Sequence, residues 1–432
     1  MKCFKNKNFN LIVFLTFVFV SFLASFNIFK KYFLNKGFNG DEYYLDNVYQ
    51  LSNVNFEIIT SIPSQFYLFL ASLFNLFIDN PKMSTRSVSF LVLFLVLSYF
   101  IIKLKRLKID KFLKVQFFFI ILFVVVFTKQ CFVGTSDFLA IFFLIVFIIE
   151  INEVLFEHNS LSFKKIILLS LFLGLSIVTR PTVLVILLVY SITILFFFNK
   201  HLLRFKALFL IPLISIFFIA FFNFGALKNY GKIILDVKEV PKNVGTNWLE
   251  RNYLMAKFWD EGKIPNSQWL SSNDVVQYKK QNPSAYIPKS NFDLLFNEPK
   301  LYLKQMIRMF VSANYTMFGY LNIFYLLAVL LVILKNKHFK SFFINSVSME
   351  QESINSLRLI LIVFYMSVLL FSFLAIKLFE FRWVIPIMII TTWYVLNLHI
   401  KTKKEVAQII LTIFYLFFTL WIFKGYKIFL MS

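Results

Sequence analysis

Residues 10–29 read NLIVFLTFVFVSFLASFNIF and contain no charged side chain. A run of about 20 apolar residues is the length that an α-helix needs to cross the hydrocarbon of a bilayer. Lipid offers no hydrogen-bond partners, so such a run must satisfy its own backbone and is expected to be a helix. Lys2, Lys5 and Lys7 precede it as in a secretory signal, but no clear small-residue cleavage site follows. We therefore expect an uncleaved anchor.

Similar apolar runs recur along the rest of the chain. They lie near 88–102, 115–129, 131–150, 165–179, 182–198, 205–223, 318–334, 357–376, 383–399 and 406–424. Of the 432 residues, 59% are hydrophobic and 16% are charged, whereas a soluble domain carries about 25% charged residues. The sequence therefore predicts an all-α fold, a polytopic bundle of about eleven transmembrane helices.

The formal net charge of +23 fits membrane topology, because Lys and Arg collect in cytoplasmic loops. With the N-terminus in the cytoplasm, the basic loops 103–114, 200–206, 335–340 and 401–404 all fall on that side. This holds only if the short apolar run 65–77 does not cross. The alternatives for that run are a twelfth span and a helix lying in the membrane interface, and the charge distribution favours the second. The basic residues occupy short loops without a nucleic-acid-binding motif, so a nucleic-acid partner is not expected.

The opposite face receives the long and irregular loops, which sets the predicted domain organisation. Residues 1–223 form an N-terminal transmembrane module with a first outer loop at 30–65, and 318–432 form a C-terminal module. The stretch 224–317 is far longer than an ordinary connection and too aromatic for disorder. We expect it to be a small extracytoplasmic or lumenal domain, helical near 292–311.

The first outer loop carries two adjacent acids, Asp41 and Glu42. A carboxylate at the membrane surface can act as the general base that takes a proton from an attacking hydroxyl. The alternative is an ordinary pair of solvated loop acids. Asp137, near the outer start of a span, is a candidate contact of the acceptor or substrate; the alternative is that it simply favours a helix N-terminus.

A second patch runs from Ile58 to Tyr67, with Pro63 just before the apolar run 65–77. Proline is favoured at the start of a helix, and the amides there can hold a phosphate or sugar oxygen. Thr60 and Tyr67 are the candidate substrate contacts of this patch. An ordinary capped interfacial helix is the alternative.

Two arginines lie in tight outer turns between apolar runs: Arg180 in Thr179-Arg180-Pro181-Thr182, and Arg382, which follows Glu380 by two residues. A guanidinium matches phosphate oxygens with two parallel hydrogen bonds, so both are candidate ligands of a lipid phosphate, with Glu380 beside them. The alternatives are an arginine that snorkels to lipid headgroups and a charged hairpin turn.

The candidate residues come from separate segments, and the predicted topology puts them on one face. Acids and arginines at one membrane surface suit a reaction between a lipid-phosphate donor and an acceptor hydroxyl. The two cysteines, Cys3 and Cys131, do not have the spacing of a metal site. No resident cofactor or metal is expected, although Asp41 and Glu42 have the oxygens to hold a divalent cation loosely.

These patches resemble the glycosyltransferases of the GT-C type, whose hallmark is an acidic residue, often Asp-Glu, in the first outer loop. The nearest resemblance is to the dolichyl-phosphate-glucose alpha-1,2-glucosyltransferases. Asp41-Glu42 followed by Ile59-Thr60-Ser61-Ile62-Pro63 and Tyr67 is similar to their Asp-Glu and Ile-Thr-Thr-x-Pro-x-x-Tyr. Arg180-Pro181-Thr182 is similar to Arg-Gln-Thr-Asn, with Pro181 and Val183 departing from it. Glu380-Phe381-Arg382-Trp383 with Pro386 is similar to Glu-x-Arg-Tyr-x-x-x-Pro, one residue shorter before the proline.

The resemblance implies an inverting enzyme of the membrane. It would move a sugar, with glucose favoured, from a polyprenyl- or dolichyl-phosphate donor to a lipid-linked oligosaccharide or another glycan acceptor. A relative acting on another polyprenyl-phosphate sugar stays open, as does a protein mannosyltransferase-like enzyme. The expected location is the endoplasmic reticulum membrane in a eukaryote or the inner membrane in a bacterium. The rival class is a polytopic transporter or lipid-linked-sugar flippase, which predicts broken helices or polar residues near the bilayer midplane.

Overall fold

The structure is a computed structural model. It describes residues 7–34, 57, 60, 64–156, 161–197, 206–233, 246–265, 270–333, 350–374, 381–400 and 404–430. Within those residues all regular structure is helical and no β-strand occurs, so the predicted all-α class is confirmed.

The α-helices are numbered in chain order. They are α1 Lys7–Tyr32, α2 Gln65–Ile78, α3 Pro81–Arg106, α4 Lys111–Phe127, α5 Asp137–Phe156, α6 Phe163–Thr179, α7 Val183–Phe197, α8 Leu210–Phe222, α9 Phe224–Tyr230, α10 Trp248–Asp260, α11 Ser272–Gln281, α12 Asn291–Asn297, α13 Pro299–Leu321, α14 Ile323–Ile333, α15 Glu350–Leu374, α16 Ile385–Ile400 and α17 Lys404–Leu430.

Several of these helices are long and apolar enough to cross a membrane. Among the described residues five qualify alone: Asn8–Tyr32, Pro81–Arg106, Asp137–Phe156, Ile354–Leu374 and Val406–Phe423. The number rises to seven if each of two bent pairs, α8 with α9 and α13 with α14, forms one span. Every predicted span overlaps one of the described helices. Apolar helices of this kind indicate a membrane-embedded helical protein.

The chain divides into two compact units. The first unit comprises 1–235, 317–363 and 385–432, and the second comprises 236–316 and 364–384.

In the first unit, polar contacts fix the directions of α3, α5 and α6. The hydroxyl of Ser89, near the start of α3, donates to the carbonyl of Thr135, just before α5, across 3.5 Å. Lys103, near the end of α3, pairs with Glu153, near the end of α5. These two helices are therefore parallel. Lys165, near the start of α6, pairs with Glu150 near the end of α5, whereas Arg180, just after α6, pairs with Asp137 at the start of α5. Helix α6 is therefore antiparallel to α5. We call this end, where α3 and α5 begin and α6 ends, the site end.

Helix α2 lies across the site end. Ser64, just before α2, donates to Ser136 across 3.3 Å, and Asn75 in its last turn accepts from Ser84 at the start of α3 across 3.2 Å. Both ends of this 14-residue helix thus contact the same end of the unit.

Aromatic packing joins α1 to α17. Phe17 is completely buried, and its ring centre lies 4.7 Å from that of Tyr415 and 5.6 Å from that of Phe418. The hydroxyl of Thr412 donates to Asn10 across 2.8 Å. Offset and edge-on ring pairs of this kind add to the burial of each ring, so the first and last helices stabilise each other.

The second unit has its own core. It is built on buried residues of α10 to α13, including Tyr253, Val275, Leu294 and Tyr302. The Tyr302 hydroxyl donates to the carbonyl of Phe373 across 2.7 Å, which ties 364–384 to this core. The helices begin with strong caps. Ser271 and Asp274 form a reciprocal capping box at α11, and Ser290 accepts from the Asp293 amide at α12. The predicted helical region 292–311 is confirmed.

The candidate site at one end of the helical unit

A buried ion pair joins Asp137 and Arg180 at the site end. The Arg180 Nε lies 3.0 Å from the Asp137 Oδ1, and the side chains are only 8% and 4% exposed. Asp137 is the first residue of α5, where the helix dipole favours a negative charge, and Arg180 follows the last residue of α6. The structure therefore brings together two of the residues predicted from the sequence, 43 positions apart in the chain.

A hydroxyl-bearing residue precedes each member of this pair in the sequence, Ser136 before Asp137 and Thr179 before Arg180. Ser136, next to Asp137, accepts from Ser64, so the start of α2 contacts the start of α5. Thr179, next to Arg180, is completely buried, and its hydroxyl makes no hydrogen bond within the described part of the chain. A buried hydroxyl without a partner costs free energy. A bound sugar or phosphate oxygen can satisfy such a group.

Thr60 holds the start of the short helix α9. Its hydroxyl accepts from the Gly225 amide across 2.8 Å, and its carbonyl accepts from the Ala226 amide across 3.2 Å. The first amides of a helix have no partner inside the helix, so Thr60 caps α9 from a distant part of the sequence. The same hydroxyl donates to the Glu57 carbonyl across 3.1 Å. Thr60, which the sequence predicts to contact the substrate, therefore has a structural role in the described chain.

Tyr67 and Gly134 show how closely the segments of the site end approach each other. The buried Tyr67 hydroxyl donates to the Thr85 carbonyl across 3.3 Å. A Cβ added to Gly134 would collide with the Thr85 side chain and lie 3.4 Å from the Arg86 amide. Beside them, Gln65 donates to the Asn223 side chain across 3.1 Å. Thr60, Tyr67 and Asp137 are thus all parts of one end of the first unit.

The sequence analysis missed Arg86, which is completely buried at the start of α3. Its Nη1 donates to the Phe33 carbonyl across 2.6 Å, just past the end of α1. A cation is stabilising at a helix C-terminus, so Arg86 holds the end of the segment that leads to Asp41 and Glu42. The signal was available, because an ionisable residue inside an apolar helix is a functional candidate. The predicted span began at residue 88, whereas α3 begins at Pro81.

The other end of α5 carries a second buried charged cluster, which we call the far cluster. The Lys103 Nζ lies 2.5 Å from both Glu150 and Glu153, and Lys165 lies 2.8 Å from Glu150. Tyr99 donates to Glu150 across 3.2 Å. The prediction that Lys103 begins a basic loop is wrong. Helix α3 runs on to Arg106, and Lys103 is 4% exposed. Pairing with two carboxylates permits this burial.

The remaining predicted residues are distributed as follows. Asp41, Glu42 and Glu380 lie outside the described residues. Arg382 lies in the second unit, half-buried in the short 3₁₀ turn Phe381–Trp383. The Trp383 ring beside it packs against Phe371 with ring centres 4.9 Å apart. No group of three or more metal-ligating side chains occurs in the part of the chain that is described.

Chemically, the site end offers a rigid guanidinium, a carboxylate and several hydroxyl and amide groups within an otherwise apolar bundle. Such an arrangement can hold an anionic, hydroxyl-rich molecule. Comparison with known proteins adds nothing to this, since no protein-family model, curated protein or solved structure matches the chain.

Proposed function

We propose that this chain is a membrane-embedded, inverting glycosyltransferase of the GT-C type. It moves a sugar, with glucose favoured, from a polyprenyl- or dolichyl-phosphate donor to a lipid-linked oligosaccharide or another glycan acceptor. The proposal includes about eleven spans, an outer or lumenal position for the second unit and the site end, and residence in the endoplasmic reticulum or the bacterial inner membrane.

One observation carries the proposal. Asp137, Arg180, Thr60 and Tyr67 were selected from the sequence as site residues, and all four lie at one end of the first unit. They come from three separate segments of the chain, 60–67, Asp137 and Arg180, so local sequence does not impose this convergence. Ionisable side chains at membrane depth are costly and are usually functional.

The proposed reaction is a single displacement. The oxygen of the acceptor hydroxyl attacks the anomeric carbon of the sugar, and the bond from that carbon to the phosphate oxygen breaks. The lipid phosphate leaves with the electron pair, while Asp41 or Glu42 takes the proton of the attacking hydroxyl. The products are the glycosylated acceptor and the free lipid phosphate.

Arg180 is proposed to hold the lipid phosphate, and Arg382 and Glu380 stay further candidates for that role from the sequence. Negative charge grows on the leaving phosphate, and fixed cations stabilise that charge most when they need no reorganisation. The ion pair with Asp137 fixes Arg180 in one orientation. A guanidinium that is already oriented before the reaction is what stabilisation of the leaving phosphate requires.

The first experiment removes the proposed base. Asp41→Asn keeps the size of the side chain but removes its charge, and we expect sugar transfer to fall by a factor of at least about 10². Purified full-length protein would be assayed with a panel of polyprenyl-phosphate sugars. Asp46→Asn, five residues further along the same loop, is the matched control and should retain activity. Undiminished transfer by purified Asp41→Asn protein would remove Asp41 from this role.

A transporter or flippase is the second candidate, favoured by one observation. Helices α8 and α9 meet at 68°, and α13 and α14 meet at 114°. Transporters build substrate sites from broken helices. Asn322 at the second break is 3% exposed. Reconstituted vesicles separate the two classes, because a transporter moves a labelled lipid-linked sugar across the bilayer without any new glycosidic bond.

A further inference from the structure

Helix α13 of the second unit presents an exposed apolar face. Leu303, Ile307, Val311 and Tyr315 follow each other at intervals of four residues and are 52%, 63%, 58% and 63% exposed. Residues four apart lie on one side of an α-helix, so they form one continuous stripe. The other side of the helix is buried in the core, through Tyr302, Gln305, Met309 and Ala313.

The stripe is too large and too ordered to be scattered surface apolarity. Phe292 and Phe296 in α12, the helix that directly precedes α13 in the chain, are also exposed, by 61% and 78%. Contiguous exposed apolar patches on proteins usually mark a surface that is covered by a partner or by a membrane.

Basic residues run along one edge of the stripe. Lys304 and Arg308 both contact the Oδ1 atom of Asp260, at 2.5 and 3.1 Å, and this contact lowers the pKa of Asp260, mainly through the hydrogen bond from Lys304. Two cations thus share one carboxylate, and Lys300 adds a third cation one turn earlier on an exposed position. The edge keeps a net positive charge, which complements anionic lipid headgroups.

Chain continuity points to the same occupant. Helix α13 continues to Leu321, and after Asn322 the chain enters α14, with the sequence IFYLLAVLLVI. An apolar stripe with a basic edge that leads directly into an apolar helix is the pattern of a helix lying in the membrane interface.

We propose that the stripe of α13, together with Phe292 and Phe296, lies in the headgroup region of the bilayer and anchors the second unit to the membrane surface. The occupant is lipid, with anionic headgroups along the Lys300, Lys304 and Arg308 edge. The inference rests on membrane embedding and not on sugar transfer, so it stands or falls separately from the proposed function.

The test places a fluorescent thiol probe on the stripe of the full-length protein. In a Cys3→Ser background, Ile307→Cys and Val311→Cys are labelled and reconstituted into phosphatidylcholine vesicles that contain phosphatidylglycerol. Asn273→Cys in α11 is the matched control, since Asn273 is exposed and lies outside the stripe. Cys131 is completely buried, and the parent protein without an added cysteine measures its labelling.

We expect lipids brominated on the acyl chain to quench the probes at positions 307 and 311, which should lie about 5–10 Å into the headgroup–acyl boundary. Aqueous iodide should quench the probe at position 273 instead. Equal access of iodide to positions 307 and 273 would overturn the proposal. Disulfide linkage between copies at position 307 without quenching by lipid would also overturn it, by assigning the stripe to a second copy of the chain. If one labelled variant fails to fold, the other carries the measurement.

Discussion

The two ends of α5 bury charged side chains in different ways. At the far cluster, Lys103 and Lys165 face Glu150 and Glu153 in direct ion pairs between helices. At the site end, the ion pair between Asp137 and Arg180 lies among side chains that contact loops, short helices and backbone carbonyls. The two ends are separated by about 20 Å along the helix axis, from the 1.5 Å rise per residue.

The difference separates stabilising charge from charge that can serve a ligand. Among the described residues, the far cluster balances two lysines against two glutamates on three packed helices. We interpret it as a structural ion-pair cluster that joins these helices. The site end draws its polar groups from many short segments, and such segments are where proteins place function on a rigid scaffold. Loss of charge should therefore affect stability at the far cluster, and both stability and ligand binding at the site end.

The largest expected effect on stability comes from breaking the far cluster. Lys103→Met removes the cation between two buried carboxylates, and the free energy of unfolding should fall by about 3–5 kcal/mol. Thermal unfolding in detergent measures this loss. The triple change that also replaces Glu150 and Glu153 by Gln leaves no unpaired acid at Lys103 and should recover much of the stability. An unchanged unfolding temperature for Lys103→Met would contradict a structural role for the far cluster.

The next effect comes from Arg180. Arg180→Gln leaves Asp137 buried without this cation and should cost about 3 kcal/mol of stability, together with a rise in the KM for the lipid-phosphate donor. The KM for the donor should not change in the Lys103→Met protein.

A double variant separates the two roles of Arg180. Asp137→Asn with Arg180→Gln removes both charges, so stability should largely return while donor binding stays weak. Recovery of the donor KM along with stability would show that Arg180 acts only in packing.

The smallest effect is expected from Gly134→Ala. The new Cβ would meet the Thr85 side chain, and overpacking of this kind costs about 1–3 kcal/mol. Thr85→Ala should relieve part of the cost in the double variant, as measured by the unfolding temperature. A neutral Gly134→Ala would mean that the 130–136 turn and the start of α3 separate easily.

Much of the fold was predictable because it depends on local pattern. Apolar runs specify helices in lipid whatever their neighbours are, so each predicted span overlaps a described helix. Charge counting favoured a helix at 65–77 that does not cross the membrane, since lysine and arginine mark cytoplasmic loops, and this stays a prediction. The ends of helices were less predictable, because caps such as Asn80 with Pro81 extend α3 into polar sequence. Because the predicted span covered only 88–102, Arg86 and Lys103 fell outside it, whereas both lie within α3.

The sequence by itself determined the helical class, the membrane-embedded character and the choice of Asp137 and Arg180 as notable residues. Only the tertiary structure decided that these two pair with each other, that Thr60 caps α9, and that Lys103 is buried between two glutamates. The physical reason is that the first set depends on interactions within one segment and the second on contacts between distant segments. A helix in lipid satisfies its backbone within its own segment, whereas the partner of a charged side chain depends on which helices pack side by side and in which direction.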